Sequence, residues 1–235
     1  MTASTIRILK KLLPTRSKPM RIWNGPFRGA RIVMNPQDSL RKVFGLYEHE
    51  LNPWLEKVLT QVTRLVDVGA NDGYFTLGCI AAFHRQRKLA EVIAIEGQSV
   101  CIAKLQESLK PLPQTDVVYQ LFEAKAGREL KSGWVTLDSL KCAIGDPHDR
   151  AHTLVKIDVE GAEMDVIEGG RSWIQPSNRF VIEVHERRFL ADLTALFAER
   201  GHKLVQLNQS PLPLLGRETR SEDNWWLVSD LDGKN

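Results

Sequence analysis

The chain has little of what defines several common classes of protein. Its 235 residues include only three cysteines, Cys79, Cys101 and Cys142, with no CxxC pair and no Cys/His cluster. An odd, sparse set of cysteines argues against a disulfide framework or a zinc site and indicates a reducing compartment. No apolar run approaches the roughly 20 residues of a membrane span, and the N-terminus lacks the long apolar region of a signal peptide. We therefore expect a cytoplasmic protein without a transmembrane segment.

The charge is unevenly distributed. Residues 1–60 contain 11 lysines and arginines against 4 acids, whereas the remainder contains 21 against 25. Solvated surface charge explains such a basic quarter, and contact with phosphates or an anionic membrane is the alternative. Residues 6–13 could form a short basic helix that lies on a membrane, or a loosely docked terminus. Because no basic patch with interleaved aromatics is present, we expect no nucleic-acid partner.

The N-terminal part differs in pattern from the rest. Residues 20–34 predict a hairpin around Asn24-Gly25-Pro26, and a helix is predicted after Asn52, with Pro53 in its first turn. We assign residues 1–60 to an N-terminal extension that could form a substrate lid.

From residue 61 onward we expect a single α/β domain, residues 61–235. Short apolar strands alternate there with helical stretches, which is typical of βαβ units on a parallel sheet. The last two strands, 203–207 and 225–229, have no helix between them and are therefore predicted to pair antiparallel.

The most informative segment is D-V-G-A-N-D-G-Y-F at residues 67–75, where an apolar strand ends in an acid and a glycine loop leads into a helix. Glycine permits close approach to a ligand, and a helix N-terminus offers N–H groups to an anion. The three glycines of a dinucleotide fingerprint are not present. S-adenosylmethionine (SAM) carries one ammonium and one carboxylate at its amino-acid end, which suit Asp67 and the loop N–H groups; a tight turn without a ligand is the alternative. The predicted cofactor loop comprises Asp67, Gly69, Ala70, Asn71, Asp72, Gly73, Tyr74 and Phe75.

The next strand of the series ends at Glu96, which Gly97 follows. An acid at this position can accept hydrogen bonds from ribose hydroxyls. A lone acid at a strand end is usually only solvated, but its combination with the glycine loop favours a cofactor role for Glu96 and Gly97.

Several motifs occur together in a specific order. They are G-L-Y-E at 45–48, D-V-G-A-N-D-G-Y-F-T at 67–76, I-E-G at 95–97, T-L-D-S-L at 136–140, V-K-I-D-V-E-G-A-E at 155–163 and E-V-H-E at 183–186. Over roughly residues 25–230 the chain resembles the FkbM family of SAM-dependent methyltransferases. The resemblance implies a Rossmann-like class I methyltransferase fold, with a mostly parallel seven-stranded sheet, a terminal antiparallel hairpin and a small N-terminal extension. It also implies SAM as cofactor and O-methylation of a sugar, glycan, lipid or polyketide-type small molecule.

Two strand ends carry the candidate catalytic residues Asp158, Glu183 and His185, which are expected at the same edge of the sheet. An alcohol must lose its proton as the methyl group moves, and histidine, with an ordinary pKa near 6.5, suits that task. We predict His185 as the base, while Asp158 could orient it, accept the proton itself or contact the cofactor.

Each of these assignments has a plainer alternative. His185 could be structural, and Asp158, Glu160 and Glu163 could cap the following helix. Asp158, Glu183 and His185 could also bind a divalent metal, but the resemblance implies none and we predict none.

The candidate acceptor-binding residues are Tyr47, Glu48, Asp138 and Glu160. Tyr47 and Glu48 lie outside the α/β pattern and could belong to the lid, whereas Asp138 could instead form an Asx-turn. N-methylation, RNA methylation and a non-catalytic SAM-binding module are the rival functions on this fold.

Overall fold

The fold is built on a central sheet with helices on both faces. The computed structural model describes residues 14–112, 116–212 and 225–231. The strands are β1 (Lys18–Arg21), β2 (Arg31–Met34), β3 (Arg64–Val68), β4 (Ala90–Glu96), β5 (Val117–Glu123), β6 (Lys125–Ala126), β7 (Trp134–Val135), β8 (Thr153–Ile157), β9 (Arg179–Val184), β10 (Leu204–Leu207) and β11 (Trp225–Ser229). The α-helices are α1 (Leu40–Val43), α2 (Asn52–Gln61), α3 (Tyr74–Arg85), α4 (Ser99–Leu109), α5 (Glu163–Glu168) and α6 (Arg188–Ala198).

The central sheet has seven strands in the order β10-β11-β9-β8-β3-β4-β5. From β9 to β5 all neighbours pair in parallel, and β11 runs antiparallel to both β9 and β10. This topology confirms the predicted Rossmann-like fold with its terminal antiparallel pair. The strand order reverses between β3 and β8, which is where open α/β sheets bind their ligands.

The central strands are buried on both faces because helices cover each side. Alternate residues of β3 enter different cores: Leu65 packs with α2, α3 and α4, whereas Val66 and Val68 pack with the α5 and α6 side. This explains why these strands carry apolar residues on both faces rather than only at alternate positions.

The N-terminal extension packs directly on the α/β domain. The ring of Phe27 lies 5.1 Å from Tyr74 and 5.0 Å from Phe75 in edge-to-face contacts. A Cβ at Gly78 would approach the Phe27 ring to 2.3 Å, so a glycine is needed where the hairpin crosses α3. The Trp54 indole N–H donates to the backbone oxygen of Ser229 at 2.9 Å, which joins α2 to β11.

The hairpin and helix predicted in this extension are confirmed with shifted ends, since β1 and β2 begin and end a few residues from the predicted bounds. The helix considered for residues 6–13 lies outside the described residues. Within the described ranges, no helix is long and apolar enough to cross a membrane.

Candidate active site

A cavity of about 610 Å³ lies at the carboxyl ends of β3, β4, β8 and β9. Its size is typical of small-molecule sites. It brings together nine of the predicted site residues, which are Tyr47, Gly69, Asn71, Glu96, Gly97, Asp158, Glu160, Glu183 and His185.

The other predicted residues do not line this cavity; they are Glu48, Asp67, Ala70, Asp72, Gly73, Tyr74, Phe75 and Asp138. Asp138 is exposed, and its carboxylate accepts hydrogen bonds from the backbone N–H and the hydroxyl of Ser172. Asp138 does not form the Asx-turn considered for it. Instead, the hydroxyl oxygen of Thr136 accepts the N–H of Ser139. We therefore remove Asp138 from the acceptor-binding set, because its side chain is engaged with the neighbouring turn.

The glycine loop is held in place by its own backbone. The N–H groups of Gly69 and Ala70 both donate to the backbone oxygen of Ile95, and that of Asn71 donates to Glu96 Oε2 at 2.8 Å. The prediction that the loop N–H groups bind a ligand carboxylate is therefore corrected for these three groups, which already have acceptors.

Gly69 is required by packing between two strands. Its φ is 74°, and a Cβ there would lie 1.9 Å from the backbone oxygen of Asp158. Glycine is the residue that accepts both this conformation and this approach. The loops after β3 and β8 are thereby brought into direct contact at the floor of the cavity.

Glu96 has the geometry expected of a cofactor-binding acid. Its two carboxylate oxygens accept the N–H groups of Asn71 at 2.8 Å and Gln98 at 2.7 Å. Each carboxylate oxygen has a second lone pair, so Glu96 is oriented at the cavity wall with acceptor capacity left for ribose hydroxyls. The cavity, the close approach at Gly69 and this oriented acid fit SAM.

Asp67 lies beneath the loop rather than beside the cavity. It is fully buried, and the Thr76 hydroxyl donates to its Oδ2 at 2.6 Å. The predicted contact of Asp67 with a cofactor ammonium is therefore corrected, because the carboxylate is covered by the chain itself.

The buried cation that compensates Asp67 is Lys156, which the sequence analysis did not single out. Its Nζ lies 3.3 Å from Asp67 Oδ1 and 3.4 Å from Asp158 Oδ2, and it donates to the backbone oxygen of Gly69 at 2.7 Å. Burial alone lowers the pKa of this ammonium, but the charges of Asp158, Asp67 and Glu48 outweigh burial and raise it. Lys156 is therefore a permanent cation that joins β8 to the glycine loop.

His185 is oriented by a second residue that we had considered only as a helix cap. Glu163 is fully buried at the start of α5, and its Oε1 lies 2.6 Å from His185 Nδ1. The same oxygen accepts the N–H of Gly161, which lies before the helix, and no side chain caps the N-terminus of α5 by a hydrogen bond. Because an ionised carboxylate can only accept, Nδ1 donates its proton to Glu163. In the neutral imidazole Nε2 is then the acceptor, and it lies 3.8 Å from Asp158 Oδ1.

The surroundings make this imidazole more basic. Burial lowers the pKa of His185, but the hydrogen bond to Glu163 and the charges of Glu183, Glu163 and Asp158 outweigh it, so the pKa is raised above its ordinary value. A raised pKa makes the imidazole a stronger base for proton abstraction.

Tyr47 reaches the cavity from the N-terminal extension. The charge of Glu48, burial and the hydrogen bond to Glu48 raise the pKa of its hydroxyl far above the ordinary value. Tyr47 is therefore a neutral phenol that is hydrogen-bonded to Glu48 and does not act as a base.

The three predicted catalytic residues could also hold a divalent cation. One ligand atom each from Asp158, Glu183 and His185 lies within 4.8 Å of the others. Two carboxylates and an imidazole are a donor set that several transition metals accept.

Comparisons with known proteins agree with this fold. Residues 135–204, which contain three of the motifs above, match the family model described as Methyltransferase FkbM domain. No curated protein matches the chain. The solved structure of methyltransferase FkbM from Methylobacillus flagellatus KT is 16% identical with a TM-score of 0.50; the match covers 97% of this chain and 58% of that one.

Two further solved structures are similar in fold. Precorrin-6y C5,15-methyltransferase from Geobacter metallireducens GS-15 is 13% identical, with a TM-score of 0.49 over 74% of this chain and 84% of that one. TYW2 from M. jannaschii, in complex with AdoMet, is 14% identical, with a TM-score of 0.48 over 92% and 85%.

The family match, together with the fold, identifies a SAM-dependent methyltransferase. The resemblance to the FkbM family is confirmed by the same match, and with it SAM as the cofactor.

Lys156→Met should destabilise the fold, because it leaves Asp67 as a buried, uncompensated carboxylate. We expect a loss of about 3–5 kcal/mol in the free energy of unfolding, measured by urea titration. The double variant Asp67→Asn/Lys156→Met should recover part of that loss, and Lys104→Met, at an exposed position, should change little. Equal stability of the Lys156 and Lys104 variants would contradict the assigned ion pair.

Glu96→Ala should weaken SAM binding by about 1–3 kcal/mol in calorimetry, since it removes charge-assisted hydrogen bonds. Glu123→Ala is the matched control: it lies at the end of the adjacent strand β5, is exposed and does not line the cavity. The assignment fails if the two variants bind SAM equally well.

Proposed function

We propose that this protein transfers the SAM methyl group to a hydroxyl of a sugar, glycan, lipid or polyketide-type small molecule, with His185 as the general base. The observation that carries the proposal is the buried Glu163 behind His185, which leaves Nε2 as a proton acceptor at the cavity. A cytoplasmic location, as expected from the cysteines, belongs to the same proposal.

The roles of the residues follow from their positions. SAM, when bound, supplies the electrophilic methyl group, and Glu96 would hold its ribose. His185 Nε2 accepts the proton of the acceptor hydroxyl, and Glu163 stabilises the imidazolium that forms, as a carboxylate does behind other catalytic histidines. Asp158 and Glu183 lie beside His185 and accept further hydrogen bonds from the substrate.

The choice of oxygen over nitrogen rests on the need for a base. A neutral amine has a lone pair and can attack without prior loss of a proton, whereas an alcohol benefits from a base within hydrogen-bond reach. A histidine with a carboxylate behind it and a raised pKa meets that need.

The cavity wall supports an acceptor rich in hydroxyl groups. Asp158, Glu160 and Glu183 contribute carboxylates, and Tyr47 contributes a phenol. Carboxylates accept several hydrogen bonds each, which favours a polyol such as a sugar over an acceptor with few polar groups.

His185→Gln should lower kcat by a factor of about 10² to 10⁴, the usual cost of losing a general base. Glutamine keeps polarity and approximate size but does not titrate near neutrality, so SAM affinity should stay close to that of the wild type. Radiolabelled methyl transfer into a panel of sugars, lipids and polyketides would identify an acceptor and supply the assay. Near-full kcat with an unchanged pH profile would show that His185 is structural.

The Glu163→Gln variant tests whether the carboxylate of Glu163 acts on His185. In the wild type, activity should rise with pH through the raised pKa of His185, because only the neutral imidazole accepts a proton. Removing the Glu163 charge lowers that pKa, so the acid limb of the profile should move to lower pH and the plateau kcat should fall. A limb that stays in place would mean that Glu163 does not act on His185.

Chelation tests the competing metal-dependent mechanism. If a protein base carries the reaction, EDTA should leave kcat nearly intact. Loss of activity that magnesium or manganese restores would instead assign Asp158, Glu183 and His185 as metal ligands.

A further inference from the structure

A second cavity, of about 490 Å³, lies between the β1–β2 hairpin and the C-terminal parts of α3 and α4. We call it the arginine groove. Its floor includes the accessible apolar side chains of Ala81, Pro111 and Leu112, and its rim carries Arg21, Arg31 and Arg85. Among its lining residues there is no aspartate or glutamate, so the groove joins an apolar surface to a cationic rim.

Arg21 and Arg31 are placed against each other by the hairpin register. They are directly opposite in the antiparallel pair of β1 and β2, and both are exposed. Like charges at such positions are destabilising. Within the described part of the chain neither arginine forms an ion pair with an acid. The two guanidinium groups can therefore bind an anion between them.

Two exposed aromatic side chains lie on the N-terminal extension outside the lining of the groove. Trp23 follows the buried Ile22 on the hairpin and is 72% exposed, and Phe44 is 50% exposed. The two are close in space because the N–H of Trp23 donates to the backbone oxygen of Val43 at 2.8 Å. Tryptophan is enriched where proteins meet the interfacial region of a membrane.

We propose that the arginine groove binds a phosphate-headed lipid of an anionic membrane surface. The phosphate lies between Arg21 and Arg31, an acyl chain covers the apolar floor at Pro111 and Leu112, and Trp23 enters the interfacial region. This inference is independent of the methyl acceptor, because the groove and the catalytic cavity share no lining residue.

The apolar floor of the arginine groove distinguishes between classes of anionic ligand. A free phosphate or sugar phosphate would use the arginines and leave the apolar floor in water, whereas an acyl chain gains free energy by covering it. A nucleic acid would require aromatics interleaved with the basic residues along a groove, and no aromatic side chain lines this one.

The test is sedimentation of the full chain with phosphatidylcholine vesicles, with and without phosphatidylglycerol. The wild type should bind only the anionic vesicles. Arg21→Gln/Arg31→Gln should weaken that binding about 30-fold, since a basic residue at an anionic surface contributes roughly a factor of five. The matched control, Lys57→Gln/Lys104→Gln, removes two exposed charges that do not line the groove and should weaken binding less than about threefold.

Further variants separate the headgroup from the chain. Ala81→Glu places a negative charge on the groove wall and should reduce vesicle binding with every arginine retained. All variants should keep wild-type SAM affinity, which establishes that they are folded. The proposal is overturned if the wild type does not bind anionic vesicles, if both double variants lose binding equally, or if glycerol 3-phosphate or single-stranded RNA competes as well as the vesicles.

Discussion

The ammonium of Lys156 is the interaction on which the active site depends. It lies between Asp67 on β3 and Asp158 after β8 and also binds the backbone oxygen of Gly69. A buried ion pair of this kind contributes little net stability, but removing one partner is costly because the other charge remains buried. The pair therefore fixes the relative positions of the glycine loop and the catalytic strand end more than it strengthens the fold.

This cation also sets the electrostatics of the cavity. Asp67 is fully buried. Without Lys156, burial of its charged carboxylate would be strongly unfavourable. With Asp67 neutralised from within the protein, the carboxylates that border the cavity are those of Glu96, Asp158, Glu160 and Glu183. They lie on two sides, with Glu96 at the end of β4 and the others after β8 and on β9. Under the proposed function, these are the cofactor side and the acceptor side of the cavity.

The fold was largely predictable from the sequence, and the pairing of side chains was not. Alternating apolar strands and helices determine a doubly wound sheet, because periodicity and chain direction are local properties. Glu163 and His185 are 22 residues apart, and their contact depends on how α5 packs beside β9. Lys156 was missed because a single lysine within an apolar strand was not expected to be buried. The feature that could have indicated an ion pair was Asp158, the acid two positions later. For Asp138 the error was the reverse: it was predicted as a site residue because it lies in a motif, whereas its side chain stabilises a neighbouring turn.

The N-terminal extension connects the catalytic cavity with the proposed lipid-binding face. Phe27 packs the hairpin that carries Arg21 and Arg31 against the start of α3, immediately after the glycine loop. Lys42 of α1 pairs with Asp72 of that loop at 2.6 Å, and its ammonium lies 5.0 Å from the ring of Tyr47. The extension is therefore joined to the cofactor loop by an ion pair and by aromatic contacts. Because the extension contributes Tyr47 to the cavity and the arginines to the groove, membrane attachment would hold the cavity at a fixed distance from the lipid surface.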